Sequence, residues 1–373
     1  MARSKTYTQE RKPKKSSKPK RKRKYTLPQL VYIAVTLIFA VALLLAYLSV
    51  WIDPAFFPVP YFFGLYFIPL FIINLVFLLI GLFKMKNYLI ISLVALLPSL
   101  LFAERFVKLG KEEKSIYGDE VKVMSWNVGR FRSAAKGMNQ AEAYAKVCDF
   151  LQRESPDILC LQECMVTDTA AVGRIASHLP YTSRRLYRQD GRFCGNVTFS
   201  RYPIVASGSI DFHNSANQCI WCDLRVNDAT VRVYNCHLES NCFSFTEIIR
   251  KMKQKGQLAD EVKIVHERLM ETALHRSEQV GSIGDHIKAS QIPTLVCGDF
   301  NDTPMSYAYQ HLSHGHKDSF VEGGTGFSAT YSAFWPLLRI DYILIPENNV
   351  ADRTTISRVP FSDHYPVSTL VYF

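Results

Sequence analysis

The sequence predicts an α/β fold preceded by an α-helical transmembrane region, and three observations lead there. Residues 26–104 are built from long apolar runs. Past about residue 105, short β-branched runs alternate with helical stretches, the pattern of a soluble α/β domain. Nearly every one of those runs also ends in a polar residue that a core strand does not need.

Residues 1–25 hold twelve Lys or Arg against a single acid, Glu10, with Pro and Ser interspersed and no apolar period. That composition predicts a disordered basic tail. The whole chain of 373 residues carries 44 basic and 33 acidic side chains, net +11. The tail accounts for all of that excess and leaves 32 of each sign in the remainder. A basic nucleic-acid groove is therefore not visible in the composition of the folded part, and only a local patch stays open.

The membrane region, residues 26–104, reads as three predicted transmembrane helices. "LPQLVYIAVTLIFAVALLLAYLSVWI", Leu27 to Ile52, holds no charge and is long enough to cross a hydrocarbon core of roughly 30 Å. A secretory signal peptide is the competing reading, but the run is too long and lacks a small-residue cleavage site. The second run, "YFFGLYFIPLFIINLVFLLIGLF", spans Tyr61 to Phe83 and is followed by Lys84 and Lys86. The third, "YLIISLVALLPSLLFA", Tyr88 to Ala103, is short and contains Pro98. Lys and Arg beside spans stay cytoplasmic, so the tail and the Lys84/Lys86 turn lie inside a multi-pass cell-membrane protein. Three crossings then put the following domain on the outer side. The nine cysteines pull the other way: all lie between Cys148 and Cys297, unpatterned and within apolar strands, like reduced core thiols. Either some of them pair outside, or the third run is re-entrant and the domain is cytoplasmic.

Within the domain, residues 105–373, "VKVMSWNV", "DILCLQE", "NVTFS", "TVRVYNCHL", "TLVCGDF", "RIDYILI" and "VSTLVYF" read as strands. "AEAYAKVCDFLQRE" and the long charged run from Thr246 to Ala289 read as helical, the latter with Gly256 and Gly281 as candidate breaks. The strand ends carry the chemistry. Asn127 ends "SWN", Glu163 ends "LQE", His237 sits in "NCHLES", Asp299 and Asn301 in "GDFND", Asp341 in "RIDYIL", and Asp363 and His364 in "FSDHYPV". Strand ends converge on one edge of a sheet, so these groups can share a cleft.

Carboxylates with carboxamide oxygens are hard ligands, suited to Mg2+ or Mn2+, whereas a zinc site recruits more His and Cys. Histidines and amides donate to phosphoryl oxygens. Neither a serine-nucleophile motif nor a phosphate-cradling glycine loop is present. The combination points to metal-assisted attack of water on a phosphate ester. Taken singly, each residue also has a structural reading: Asn127 a turn former, Glu163 a solvated charge, Asp341 a partner for Arg339, and Asp302 a loop cap. His311, His314 and His316 read as an exposed loop without acid ligands.

Those same motifs, "WN", "LQE", "GNVTFSRYPI", "HLES", "GDFND", "RIDYIL" and "SDHYPV", resemble the ordered set of the endonuclease/exonuclease/phosphatase superfamily over about residues 120–373. The front of the chain resembles the three-span leader of bacterial membrane-bound members. The resemblance implies a four-layer sandwich, two mixed β-sheets face to face with helices outside. It implies that Glu163 holds the divalent metal, Mg2+ or Mn2+, with Asn127 and Asp363 close to it. It also implies that Asp299 orients or deprotonates the water and that Asn301 binds a non-bridging oxygen. His364, held by Asp341, would contact the phosphate, and His237 would donate to the phosphate or leaving group. Abasic-site endonucleases usually have Tyr where this chain has His237, which weakens a DNA-repair reading. The expectation is a membrane-anchored, metal-dependent phosphoesterase acting on phosphodiester bonds, nuclease-like. The alternative is a sphingomyelinase-like enzyme of phospholipid or inositol phosphate; a scaffold without activity is the remote one. Its partners are the phosphodiester substrate, a nucleic acid or phospholipid head group, and the lipid bilayer; no protein partner is expected.

Overall fold

A computed structural model describes residues 25–84, 86–110, 118–135, 137–213, 215–241 and 258–373. The tail before Tyr25 and the candidate break at Gly256 lie outside the described residues. In chain order the strands are β1 (Val107–Lys108), β2 (Glu120–Asn127), β3 (Ile158–Val166), β4 (Tyr181–Gln189), β5 (Arg192–Ser200), β6 (Ile204–Asp211) and β7 (Gln218–Val226). They continue with β8 (Ala229–His237), β9 (Thr294–Asp299), β10 (His316–Asp318), β11 (Gly326–Phe327), β12 (Asp341–Pro346), β13 (Val350–Ile356) and β14 (Val367–Tyr372).

Two six-stranded sheets result, ordered β13-β14-β2-β3-β5-β4 and β10-β12-β9-β8-β7-β6. Both are mixed, because β2 with β3 and β8 with β9 pair in parallel while the other neighbours are antiparallel. Alternation along each central strand decides the stacking. Val121, Val123, Ile158 and Cys160 of the first sheet meet Leu224, Val233, Leu295, Cys297, Ile343 and Ile345 of the second in one dry core. The opposite faces bury Met124, Trp126, Leu159 and Leu161 under helix Gln140–Glu154, and Tyr234, Val296 and Tyr342 under helices Leu258–Lys288 and Tyr307–Ser313. Each fully buried aliphatic side chain contributes about 1.5–3 kcal/mol. The four layers that the resemblance implied are present.

The helix Leu258–Lys288 runs straight through Gly281. Its neighbours Val280 and Ile283 are fully buried, and that packing outweighs the roughly 1 kcal/mol that a glycine costs in a helix interior.

The apolar front forms a helical bundle. Helices Leu27–Leu48 and Phe67–Lys84 are long and apolar enough to cross a membrane. The second predicted span is split, Val59–Leu65 before Phe67–Lys84, because Pro69 has no N–H for the turn that would join them and instead sits in the first turn of the later helix. The third run is helical over Leu89–Leu96 and continues as 3-10 helix over Leu97–Leu101, where Pro98 sits. At 1.5 Å per α residue and about 2.0 Å per 3-10 residue, the switch stretches this short run to about 22 Å by Leu101. Polar side chains tie the bundle: Asn74 Nδ2 donates to the Phe39 and Leu70 carbonyls, each at 2.9 Å, and Tyr47 Oη donates to the Ala95 carbonyl at 2.9 Å.

One end of this bundle docks on the α/β domain. Ser49 Oγ donates to the Met305 carbonyl at 2.6 Å, Ser277 Oγ to Asp53 at 2.5 Å, Arg276 to Tyr61 Oη at 2.7 Å, and Arg105 to the Pro304 carbonyl at 2.8 Å. Met305 is itself part of the bundle's apolar core. The other end carries Tyr25 against Tyr88, ring centroids 6.2 Å apart, near Lys84 and Lys86.

Candidate active site

The site forms where the inward faces of the two sheets run out. Alternation puts Val231, Val233 and His237 on one face of β8, Leu295, Cys297 and Asp299 on one face of β9, and Asp341, Ile343 and Ile345 on one face of β12. His237 stands opposite Asp299 in the parallel pair, and Asp341 stands opposite Asp299 in the antiparallel one. Three chemical groups thus line up across three strands. Gly298 lets β9 lie this close to β8: a Cβ there would come within 1.9 Å of the Cys236 carbonyl.

Asn127 closes the cluster from the first sheet, donating Nδ2 to Asp299 Oδ2 at 2.9 Å and to Glu163 Oε1 at 3.4 Å. Plain alternation would turn Glu163 away, because Leu159 and Leu161 on its parity pack outward. A register shift between Leu161 and Cys164 and a φ of 49° at Glu163 insert it as an extra residue facing the cleft. Its Oε2 accepts from Arg130 Nε at 2.9 Å, and its Oε1 lies 3.7 Å from His237 Nε2. That His237 nitrogen is buried, has no hydrogen-bond partner among the described residues, and also lies 3.9 Å from Asp299 Oδ2.

His364 enters on the loop before β14. Ser362 Oγ donates to the Asn127 carbonyl at 2.8 Å, and Trp126 Nε1 to the His364 carbonyl at 2.9 Å, so the loop is stapled to β2. The ring Nδ1 meets Asp341 at 3.0 and 3.1 Å, and Nε2 lies 3.8 Å from Asp299. Arg339, the structural partner considered for Asp341, instead pairs with Asp318 at 2.6 and 2.8 Å. Asp302 caps its loop at the Thr303 N–H and pairs with Arg276 at 3.1 Å. The three histidines read as an exposed loop separate: His311 lies on helix Tyr307–Ser313, His314 is exposed, and His316 opens β10 with Nε2 2.7 Å from Thr294 Oγ1.

Two expected residues sit at the margin. Asn301 lies beyond the strand, at φ 52°, with its N–H given to Asp299 at 2.8 Å and one amide hydrogen to the Leu238 carbonyl at 2.9 Å. Asp363 is half-buried, with Oδ1 at 3.3 Å from Ser362 Oγ and against Gly129, whose N–H binds Asn127 Oδ1 at 2.9 Å.

Burial dominates the electrostatics. It pushes the Asp299 carboxyl up to about 6, against the opposing pull of His364. Burial works to discharge His364, yet Asp341 and Asp299 carry its pKa up to about 10. Burial also works to raise Glu163, but His237 and Arg130 outweigh it and hold that carboxyl below its usual range. The donor set fits a hard divalent cation. Glu163 remains ionised with the Asp299 carboxylate near it, Asn127 bridges the two through Nδ2, and His237 Nε2 faces both without a hydrogen-bond partner among the described residues. Asp299, Asp341 and His364 also bring ligand atoms within 4.8 Å of one another, but the His364 ring spends Nδ1 on Asp341 and stays cationic. A cation is therefore better served by Glu163.

Sequence reasoning missed several neighbours. Arg130 pairs with Glu163 across 33 residues of chain, and nothing local signals it. Tyr331 packs on His364 with ring centroids 5.1 Å apart. Beneath the site, Gln162 Nε2 donates to Asn235 Oδ1 at 2.8 Å and Asn196 Nδ2 to the Asn235 carbonyl at 3.0 Å, bridging the two sheets with buried amides. A cleft of about 220 Å³ near helix Leu258–Lys288, lined by Asp211, His213, His275 and Glu278 among others, contains none of the site residues.

The profile of the Endonuclease/Exonuclease/phosphatase family matches residues 124–364, and that of a domain of unknown function matches residues 29–106. Among solved structures, an endonuclease/exonuclease/phosphatase from Beutenbergia cavernae is similar at 17% identity and TM-score 0.52, over 68% of this chain and 72% of that one. An endonuclease/exonuclease/phosphatase family protein from Bacteroides thetaiotaomicron aligns at 16% identity and TM-score 0.49, over 69% and 97%. The D. rerio TDP2 complex with a single-strand DNA product aligns at 17% and 0.48, over 68% and 99%. No curated protein matches the chain.

Proposed function

Because the chain belongs to the endonuclease/exonuclease/phosphatase family, whose members are metal-dependent phosphoesterases, we propose that it is a membrane-anchored phosphodiesterase using Asp299 as the base. The observation that carries this reading is the row His237, Asp299 and Asp341 across three neighbouring strands, facing Glu163 and Asn127. Mg2+ or Mn2+, held by Glu163 with Asn127 and Asp363 nearby, would supply charge neutralisation of the phosphate. Asp299, with its pKa near 6, is ionised at neutral pH yet basic enough to take a proton from water. His364, kept cationic by Asp341, offers Nε2–H to a phosphoryl oxygen, and His237 Nε2 faces the same space.

Four carboxylates, Glu163, Asp299, Asp341 and Asp363, against Arg130 and two histidines favour a monoanionic diester over a dianionic monoester. Nucleic acids and phospholipid head groups are both diesters and share this chemistry. Purified full chain with Mg2+ should therefore hydrolyse bis-p-nitrophenyl phosphate at least roughly tenfold faster than p-nitrophenyl phosphate. Preference for the monoester would overturn the reading.

Asn301 supplies a second check. Asn301→Ala removes an amide donor beside the base and should lose about 3 kcal/mol of transition-state stabilisation, read as a fall in kcat with KM little changed. An unchanged kcat would place Asn301 in a purely structural role.

Anchoring rests on the bundle. Its docked end gathers Ser49, Asp53, Tyr61 and Arg105, while Lys84 and Lys86 lie at the other, so the third run returns to the domain side as a spanning helix would. With cations cytoplasmic, the domain is extracytoplasmic. An alkaline phosphatase fused after Gly110 should be active in intact cells and one fused after Lys86 silent. The reverse pattern at Gly110 would put the domain in the cytoplasm, where the eight described cysteines, all unpaired, would also be at home.

A further inference from the structure

An apolar loop joins the site to the end of the membrane bundle. It begins at β11, where Phe327 pairs with Val107 and Gly326 with Lys108, immediately after the bundle ends. Ser328 fixes that start twice, its N–H to the Phe106 carbonyl at 2.9 Å and its Oγ to the Arg105 carbonyl at 2.9 Å. Phe106 in turn stacks on Phe67 of the bundle, ring centroids 5.3 Å apart.

The loop's base is rigid. Ser328, Ala329 and Thr330 are buried, Thr330 and Tyr331 both donate to the Leu338 carbonyl, and Ser332 N–H binds the Asp363 carbonyl at 2.8 Å. Its tip is the opposite: Phe327, Phe334, Trp335 and Leu337 are 52, 36, 40 and 46% exposed. Phe327 meets Trp335 at 6.0 Å between centroids, Phe334 meets Tyr331 at 6.2 Å, and Tyr331 leads to His364. The Arg358 guanidinium lies 4.7 Å over the Trp335 ring. A clamped loop that leaves this much apolar area of four neighbouring side chains in the open buries only part of it in the fold, and contiguous exposed apolar side chains mark an interaction surface. Aromatic side chains, Trp above all, with a cation beside them suit the head-group zone of a bilayer.

We propose that Phe327, Phe334, Trp335 and Leu337 seat in the outer head-group layer of the same bilayer the bundle crosses, holding the mouth of the site at the membrane surface. This rests on the membrane-anchored reading above. The bilayer is the occupant the observations favour because the loop is continuous, through β1 and β11, with the residue pairings that close the bundle. The site then meets phosphodiesters presented at the membrane before those in bulk solution.

The four tryptophans make the test, with Trp51 at the end of the first bundle helix 60% exposed and Trp126 fully buried in the domain. The full chain is reconstituted in vesicles of phospholipid brominated near the head-group end of its acyl chains, and quenching of the wild type is compared with Trp51→Phe and Trp335→Phe. The expected result is that each replacement removes a quenched component of the emission. If Trp51 is quenched and Trp335 is not, the loop stands off the bilayer and the proposal fails while the anchored reading survives. If neither is quenched, the anchored reading fails and takes the proposal with it. Replacing Trp by Phe keeps an aromatic ring at each position, and unchanged diester turnover of the purified variants verifies that the fold is kept.

Discussion

Glu163→Gln is expected to lower kcat on a phosphodiester by on the order of 10³, the equivalent of about 4 kcal/mol of charge stabilisation. The substitution keeps the size of the side chain and the hydrogen bond to Asn127 while removing the anionic oxygen that Arg130 and His237 now face. Binding of Mg2+ or Mn2+, read by calorimetry, should weaken in parallel. Thermal unfolding should change little, because Glu163 sits on an inserted bulge residue at the cleft and outside the apolar clusters. Full activity with intact metal binding would remove Glu163 from the site and leave Asp299, Asp341 and His364 as the better cation cage.

Asp299→Asn should reduce kcat by roughly 10² to 10⁴, the range for losing a general base. The sign of its pH dependence follows from burial. A carboxyl raised to about 6 is protonated and unable to accept below that pH, so wild-type turnover should climb as pH rises through about 6. It should fall again only as His364 loses its proton near 10. In Asp299→Asn the acidic limb should flatten, and in Asn301→Ala it should persist. The same limb in both variants would transfer the role of base to a histidine.

How much of this was legible depended on where a residue stands in its sheet. The central strands β2, β3, β8, β9, β12 and β14 are buried on one face or both, so their β-branched runs stand out in the sequence. The edge strands do not. β4 reads "YTSRRLYRQ" and β6 reads "IVASGSID", neither with a fully buried residue, and neither shows the apolar alternation that would mark it. The candidate site residues stood out for a related reason: His237, Asp299 and Asp341 are polar members of largely apolar alternating faces. Glu163 was found by its motif, but its direction depends on a bulge that no period predicts. Arg130, Tyr331 and the amides Asn196 and Asn235 were missed because their roles arise from pairings distant in sequence, such as the 38 residues between Asn235 and the Val197 carbonyl it binds.

The central claim is that a divalent cation at Glu163 drives hydrolysis at the end of this sandwich. The direct measurement is turnover of bis-p-nitrophenyl phosphate by the purified full chain after EDTA treatment, followed by titration with Mg2+ or Mn2+. Activity should vanish with the chelator and return saturably in wild type, with the add-back curve shifted to much higher concentration in Glu163→Gln. Turnover that survives EDTA, or a Glu163→Gln curve that overlays the wild type, would contradict it.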